Sequence, residues 1–446
     1  MTSTHVPRIE KSTNAPIIEE HRPTHSRLIS VLGFTVGITA FVFVNVGGRL
    51  SIGEILCVPI AFVTIFSFGL RPTKYGLLLV AVTSLMVVGL TISSLSNGNS
   101  LAEAQAGIAN YSVLALSAIG VASLLIYSKG RALTSLLLGA ALGQIAGFYT
   151  SPTAEAVIDP WKFAIGWAVN VVVLIAAWQV FRRFRRRLPA AGIVLSLAAL
   201  NVALGSRSAG VLVALSAIVF LLLGRTGTRR DRSFIALAAV IAVALFGATA
   251  LYEAAAENGY FGAYAAQKLA DQSGEYGLIF GARKELLFLI FAFVASPLIG
   301  WGAVARVPYD VRLPAYDSLA GGGYFFSTSD VDRLMLVDRL PLHSVALGAF
   351  VQAGIFALPL VLVLVALCVI AVRGTVRNDL GFATMLVVLG GFMHILISPL
   401  GDTTRIQVAL ALAVGMYVFS MDRKGGNRER TRTGIITPMP SRSSTR

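Results

Sequence analysis

Apolar runs of about 20 residues recur along nearly the whole chain, and they constrain the fold more than any other feature of the sequence. Each run is long enough to cross a hydrocarbon core of ~30 Å as an α-helix. A soluble fold would have to bury these helices on all sides, which a chain of 446 residues cannot arrange. Only 13% of the residues are charged, against ~25% in a typical soluble domain. The sequence therefore predicts an all-α, polytopic transmembrane helical bundle.

We predict about twelve spans, joined by short loops and by one long polar connection. The tenth span lies in an apolar stretch that is longer than a single crossing needs. We expect the first third of that stretch to lie outside the membrane as a helix cap. The predicted spans cover residues 28–46, 51–70, 75–95, 108–127, 132–150, 163–181, 188–204, 209–224, 233–252, 343–372, 379–397 and 405–420.

The positive charges of the chain mark its cytoplasmic side. The net charge of +15, from 37 Lys and Arg against 22 Asp and Glu, lies mostly in short loops and in the two tails. This is the positive-inside pattern, so we interpret the charge as a topology signal and not as a surface for nucleic acid. The chain is predicted to be a multi-pass protein of the plasma (inner) membrane with both termini cytoplasmic and its basic tails near membrane lipids. The predicted regions are an N-terminal tail (1–27), spans one to nine (28–252), a large extracytoplasmic loop (253–342), spans ten to twelve (343–420) and a basic C-terminal tail (421–446).

The long connection over 253–342 is the place where this sequence concentrates its polar residues. A loop of this length between closely spaced helices is usually functional or folds as a small domain. Residues 285–301 within it are apolar enough nearly to cross a bilayer. A crossing there would move Arg373, Arg377 and the basic tail to the outside, against the charge pattern. We therefore favour an interfacial or re-entrant helix.

Several residues are predicted to serve packing. Gly139, Gly143 and Gly147 recur at helical spacing, which lets a neighbouring helix approach closely. Asp402 and Arg405 are expected to pair in the last outside turn. The remaining packing candidates are Cys57 and Cys368, each inside an apolar run, and Asn45, Glu54, Asn170, Asn201 and His394 (packed or a gate).

Three basic residues at predicted outside positions are the candidates for chemistry. Arg207 lies in the turn between spans seven and eight, Arg283 precedes the interfacial helix, and His343 begins the tenth span. A guanidinium group matches phosphate oxygens, while a histidine titrates near neutrality and suits a general base. The structural alternatives are a snorkelling or helix-capping role for Arg207, local pairing of Arg283 beside Lys284 and Glu285, and a helix-start role for His343.

The sequence predicts no metal site and no cofactor. Asp330 and Asp332 form a D-x-D pair, a spacing that some glycosyltransferases use for a metal ion, but polar loops contain such pairs by chance. The run Gly321–Gly323 has no lysine after it and does not fit a phosphate-binding loop.

The order of these features resembles the O-antigen ligase and O-antigen polymerase superfamily of bacterial glycan-assembly enzymes. Residues 206–210 (SRSAG) are similar to that family's Ser-Arg-Gly-Ala turn, and Arg283 to an arginine that opens its periplasmic helix. Residues 296–302 (SPLIGWG) resemble its Pro-Leu-x-Gly-x-Gly motif. His343 and Ser344, followed by Leu347 and Gly354, resemble its His-Asn-x-x-Leu motif, with serine in place of asparagine.

The resemblance implies a metal-independent glycosyltransferase that acts at the outer membrane face. Its donor would be a glycan carried on a polyprenyl diphosphate, and its acceptor a glycan or a lipid. Arg207 and Arg283, with Ser206 and Ser344 nearby, would bind the diphosphate and stabilise charge as it leaves. His343 would activate the acceptor hydroxyl.

Two other functions remain open from the sequence. A transporter or flippase for a lipid-linked or anionic solute would place charged residues and helix breaks within the membrane. A non-enzymatic scaffold would act through the basic tails. The sequence does not choose between ligase and polymerase within the leading prediction.

Overall fold

The computed structural model describes residues 23–45, 49–66, 74–184, 187–223, 247, 253–260 and 262–433. In these ranges the regular secondary structure is helical apart from one two-stranded antiparallel hairpin, in which Val44 pairs with Leu50. The first half comprises α1 (Pro23–Thr39), β1 (Phe43–Asn45), β2 (Arg49–Ser51), α2 (Ile52–Phe66), α3 (Lys74–Ser96), α4 (Leu101–Tyr127), α5 (Ala132–Thr150), α6 (Ala154–Ile158), a π-helical turn (Trp161–Ile165), α7 (Gly166–Phe184), α8 (Arg187–Ala203) and α9 (Arg207–Leu223).

The helices of the second half are short up to residue 353 and long from residue 358 onward. The elements are α10 (Ala263–Gln272), α11 (Gly277–Ala282), α12 (Glu285–Ala295), α13 (Tyr309–Gly321), α14 (Thr328–Val331), a π-helical turn (Asp332–Leu336), α15 (Val345–Ala353), a 3-10 turn (Gly354–Ala357), α16 (Leu358–Arg377), α17 (Phe382–Ile397) and α18 (Asp402–Thr433).

Six helical stretches are long and apolar enough to cross a membrane, and each coincides with a predicted span. Several such helices in one chain are consistent with a multi-pass membrane protein. The broad class predicted from the apolar runs is therefore found in the described part of the chain. The six stretches are Lys74–Ser96, Leu101–Tyr127, Ala132–Thr150, Trp161–Phe184, Val345–Arg377 and Asp402–Met421.

The structure supports six of the twelve predicted spans by helix length and composition and does not confirm the other six. Five further predicted spans correspond to α1, α2, α8, α9 and α17, which have 15 to 17 residues each. A helix of 17 residues extends about 25 Å at 1.5 Å per residue, less than a hydrocarbon core of ~30 Å. The ninth predicted span, 233–252, lies outside the described residues except for position 247, and so do residues 1–22 and 434–446 of the two predicted tails.

Three glycines on α5 bring α1 into backbone contact, as their spacing predicts. A Cβ added at Gly139, Gly143 or Gly147 would lie 2.3 Å from a carbonyl oxygen of the α1 region, that of Phe34, Ile38 or Phe41 respectively. The same closeness occurs from the other side, at Gly37 of α1. Small residues of this kind allow helix backbones to approach within a membrane. The predicted packing role of the α5 glycines is confirmed.

Alanine at position 143 is expected to separate the two helices and to destabilise the protein by about 1–3 kcal/mol, the usual range for overpacking. Gly192→Ala is the matched control, because a Cβ at that helical position would meet no atom within 4 Å. The control is expected to be neutral or slightly stabilising, since alanine favours a helix more than glycine does. The midpoint of thermal unfolding of the detergent-solubilised protein measures both changes. Equal midpoints for the two variants would contradict the close packing of α1 on α5.

Residues 262–342 contribute most of a second hydrophobic core, which also includes Val351 of α15. Leu286, Phe288 and Leu289 of α12 pack there with Leu319 and with other buried side chains of the segment. The guanidinium of Arg312 is buried among them and donates hydrogen bonds to the carbonyl oxygens of Val307, Leu334 and Val337. These bonds tie α13 to the π-helical turn, because a buried cation is stable only where its donors are satisfied.

Helix α12 forms the first part of residues 285–301, for which an interfacial or re-entrant helix is predicted, and it is too short to cross a hydrocarbon core by itself. It has 11 residues, or about 17 Å of helix, and ends where residues 296–302 turn back. It packs against α15, the first part of the long apolar stretch Val345–Arg377. That stretch is not one continuous α-helix, because a 3-10 turn at Gly354–Ala357 separates α15 from α16.

Candidate functional site

Arg283 and His343 meet although 60 residues separate them in the sequence. Arg283 lies two residues before the start of α12 and His343 two residues before that of α15, so the packing of these two helices brings them together. Arg283 Nη1 lies 3.5 Å from His343 Nδ1. A guanidinium group can only donate, so this contact requires the lone pair of Nδ1 and a ring with its proton on Nε2.

The surroundings of His343 favour its neutral form. Burial is the largest cause and lowers the pKa of His343 below its ordinary value of 6.5; the charge of Glu285 opposes this, and those of Arg283 and Arg333 add to it. A neutral imidazole can accept a proton. The site therefore holds a proton acceptor next to a guanidinium group that can bind an anion.

Ser344 fixes the position of His343. Its hydroxyl accepts a hydrogen bond of 3.0 Å from the Leu347 backbone N–H and so caps the N-terminus of α15. The same hydroxyl donates to the Ile395 carbonyl at 3.4 Å, and the residue is 1% exposed. Ser344 thus joins the start of α15 to the end of α17. Ser344 is predicted to bind substrate, but its hydroxyl already has two hydrogen-bond partners within the protein.

Ser206 and Arg207 lie on a separate element at the same end of the bundle. Asn201, near the end of α8, exchanges hydrogen bonds of 2.7 and 3.2 Å with Asn170, while the other end of α7 meets the start of α17 through Trp178 and Phe382. Helix α9 packs on α17 and begins at Arg207. Arg207 therefore lies at the end of the bundle where α17 finishes, as the Arg283–His343 contact does. Arg207 is half-buried and Ser206 is buried.

The turn 296–302 holds the base of this site through backbone contacts. Trp301 and Gly302 donate N–H groups to the carbonyl oxygens of Val351 and Gln352, at 2.7 and 3.0 Å. Gly302 and Gly354 both have positive φ, +80° and +58°, a conformation that favours glycine. A Cβ at Gly354 would lie 2.4 Å from the Leu298 carbonyl oxygen. The glycines of the SPLIGWG segment and of position 354 therefore lock α12 against the break between α15 and α16.

Comparison with protein-family models, with curated proteins and with solved structures finds no match to this chain. The likeness to the O-antigen ligase and polymerase superfamily rests on the four sequence segments alone.

Asp330 of the D-x-D pair is engaged by the protein itself. Its carboxylate accepts a hydrogen bond of 2.9 Å from Lys284 Nζ and one of 3.2 Å from the Ser327 backbone N–H. Burial tends to raise the pKa of Asp330, but the bonds from Lys284 and Ser327 outweigh it and lower that pKa. Lys284 also donates to the Phe325 carbonyl and lies 4.8 Å from the ring centre of Phe326. Asp330 therefore anchors the segment 325–333 beside the Arg283–His343 contact.

A buried ion pair between Glu54 and Arg405 was not predicted from the sequence. Arg405 Nη2 donates to Glu54 Oε2 at 2.9 Å, and Nε donates to Oε1 at 2.5 Å. The residues are 3% and 1% exposed. Arg405 also donates to Asn110 Oδ1 at 2.7 Å and to the Arg49 carbonyl at 3.0 Å. The pair joins α2, α4, β2 and the start of α18.

The expected pairing of Asp402 with Arg405 is replaced by two different contacts. Asp402 Oδ2 lies 3.4 Å from Arg49 Nε, while the fork of Arg405 faces Glu54. Arg405 lies one helical turn inside α18 and points into the bundle, whereas Arg49 on the hairpin can reach the helix start. The position of Glu54 within an apolar run of the sequence indicates a buried ion pair, because a carboxylate in such a run needs a cationic partner.

Proposed function

We propose that this protein is a glycosyltransferase that acts at the outer face of the plasma membrane on a polyprenyl-diphosphate-linked glycan donor. The Arg283–His343 contact carries the proposal, because it joins an anion-binding group to a neutral proton acceptor. The acceptor substrate is a glycan or a lipid. Both termini lie in the cytoplasm in this account, and residues 262–342 lie outside, next to the carrier lipid's head group.

The proposed reaction begins with the diphosphate. Arg283 turns its donors from His343 Nδ1 to the phosphate oxygens, and Arg207 binds the same group from α9. This leaves the lone pair of Nδ1 free. The acceptor hydroxyl loses its proton to Nδ1, and its oxygen forms a bond to the anomeric carbon of the donor sugar. The bond from that carbon to the phosphate oxygen breaks, and the electron pair leaves with the diphosphate, whose charge the arginines stabilise.

Glutamine in place of His343 is expected to lower the rate of glycan transfer by about 10²–10⁴-fold, the usual contribution of a general base. In the wild type, acidification should reduce the rate only below pH 6.5, because the pKa of His343 is lowered from that value and the neutral ring is the active form. That acid limb should disappear in His343→Gln. Transfer by isolated membranes across a pH series measures both effects.

His25→Gln, in the predicted N-terminal tail, is the control for this measurement and should keep the wild-type rate and pH profile. A His343→Gln protein that is present at normal levels and transfers glycan at the wild-type rate would contradict the proposed role.

A second candidate function is transport of a lipid-linked or anionic solute. The break at Gly354 within a candidate span and the buried Glu54–Arg405 pair favour it, since transporters break helices and bury charges within the membrane. Saturable uptake of carrier-linked glycan into liposomes that contain the purified protein, without glycan transfer, would establish this function instead.

A further inference from the structure

A buried carboxylate lies beside the proposed site, and the reaction described above does not use it. Glu285 is in the first turn of α12, two residues after Arg283, and is 4% exposed. Its Oε1 atom lies 2.5 Å from Nη2 of Arg333. A buried carboxylate needs such compensation, because removing its charge from water is unfavourable. The ion pair therefore explains why Glu285 is stable there, but not why a carboxylate occupies the position.

Arg333 is a weak partner for so deeply buried a group. Its side chain is 42% exposed, and its Nη2 atom also lies 3.6 Å from Asp330 Oδ1. Water and Asp330 therefore share the charge of Arg333, which leaves part of the charge of Glu285 uncompensated. His343 is within electrostatic reach of this carboxylate. Arg283, two residues before Glu285 in the chain, contacts His343 directly.

We propose, on the basis of the proposed transferase function, that Glu285 is a positioning residue for His343. Its carboxylate stabilises the imidazolium that forms when His343 removes the proton of the acceptor hydroxyl. The ion pair with Arg333 limits how strongly the negative charge of Glu285 acts on His343. No proton moves to Glu285 in this step. The proton stays on His343 Nδ1 while the new glycosidic bond forms and the diphosphate leaves, and the imidazolium then releases it to water.

The charged groups around His343 make this role specific to Glu285. Arg283 contacts the ring and Arg333 lies behind Glu285, so both disfavour an imidazolium. Lys284, the next residue along, is held by Asp330 at 2.9 Å. Among the described groups that act on His343, Glu285 is the one that favours its protonated form. The carboxylate of Glu285 therefore offsets the positive charge that His343 gains when it is protonated near Arg283 and Arg333.

Two substitutions should move the titration of His343 in opposite directions. Glu285→Gln removes the negative charge and should lower the pKa of His343. Arg333→Gln removes a positive charge, releases Glu285 from its ion pair and should raise that pKa. Nuclear magnetic resonance of the full chain in detergent, with labelled histidine, measures the titration without any substrate. The chain has five histidines, and the His343→Gln spectrum assigns the resonance.

This titration decides whether the carboxylate acts on the ring. An unchanged pKa in Glu285→Gln, or a lowered one in Arg333→Gln, would overturn the inference. If Glu285→Gln does not fold, the double variant Glu285→Gln with Arg333→Gln replaces it, because it removes both ions of the buried pair together, and its His343 should have a lower pKa than that of Arg333→Gln alone.

The pH profile of glycan transfer then separates this inference from the proposed function. We expect the acid limb to move to lower pH in Glu285→Gln and to higher pH in Arg333→Gln. At its optimum, Glu285→Gln should lose on the order of tenfold or more in kcat with little change in KM, a part of the general-base contribution. If the pKa of His343 shifts as expected but the wild-type protein transfers no glycan, the transferase function is refuted and the effect of Glu285 on His343 stands. If transfer is normal and the acid limb stays at the same pH in both variants, the positioning role alone is refuted.

Discussion

Arg283→Ala is expected to lower glycan transfer by about 10²–10³-fold, or roughly 3–4 kcal/mol in the activation barrier, the usual cost of removing a donor that stabilises developing charge. Arg283→Lys should retain part of the rate, since it keeps the positive charge but loses the two-pronged fork that matches phosphate. The measurement is the rate of transfer by membranes that contain equal amounts of each variant.

Arg339→Ala is the matched control for Arg283→Ala. Arg339 belongs to the same outer segment, and its side chain is 62% exposed. Its partner Glu103 keeps a second cation, Arg306, at 2.9 Å. This control should therefore transfer glycan at the wild-type rate. Equal losses in the Arg283 and Arg339 variants would mean that the total positive charge of this segment matters and not its position, which contradicts a specific site at Arg283.

Arg405→Met is expected to destabilise the fold by about 3–5 kcal/mol, because it leaves the buried carboxylate of Glu54 without its cation. Asn110 and the Arg49 carbonyl lose their donors as well. Glu54 alone cannot hold the start of α2 against α18 without that pair. The thermal unfolding midpoint in detergent, and the amount of folded protein in the membrane, should both fall.

The double variant Glu54→Gln with Arg405→Met tests whether charge is the cause. It removes both ions together, and the loss of a complete buried pair is often nearly neutral. The glutamine oxygen can still accept the hydrogen bond of 2.8 Å from the Ser51 backbone N–H. We expect the double variant to be more stable than Arg405→Met alone. A double variant less stable than the single one would show that packing, and not the unpaired carboxylate, determines the loss.

Hydrophobic length and glycine spacing predict much of this fold, and helix ends and breaks limit the rest. The run over 132–150 coincides with α5, and its glycines approach α1 as expected. The run over 28–46 overlaps α1, which ends at Thr39 and is followed by the hairpin. Hydropathy does not detect this helix end, because Phe43 and Val44 of β1 continue the apolar run. The break at Gly354 lies unmarked in an apolar stretch for the same reason.

The sequence predicts individual site residues better than it predicts their partners. Charge, position and resemblance each indicate Arg283 and His343 as site residues, but their contact follows only from the packing of α12 on α15. Glu285 was predicted as a local partner of Arg283 but pairs with Arg333. The partner of Arg405 was assigned by closeness in sequence to Asp402, whereas the actual partner is 351 residues away. Long-range pairing depends on tertiary packing, which a single sequence does not contain.

The most direct test of the proposed function is the size profile of carrier-linked glycans in a strain that lacks this protein. The account predicts that glycan on polyprenyl diphosphate accumulates, and that the wild-type protein clears it while Arg283→Ala does not. Accumulated single units would identify a polymerase, and full-length chains left on the carrier would identify a ligase. A profile of carrier-linked and envelope glycans unchanged by the deletion would contradict the account and would leave Arg207, Arg283 and His343 with structural roles.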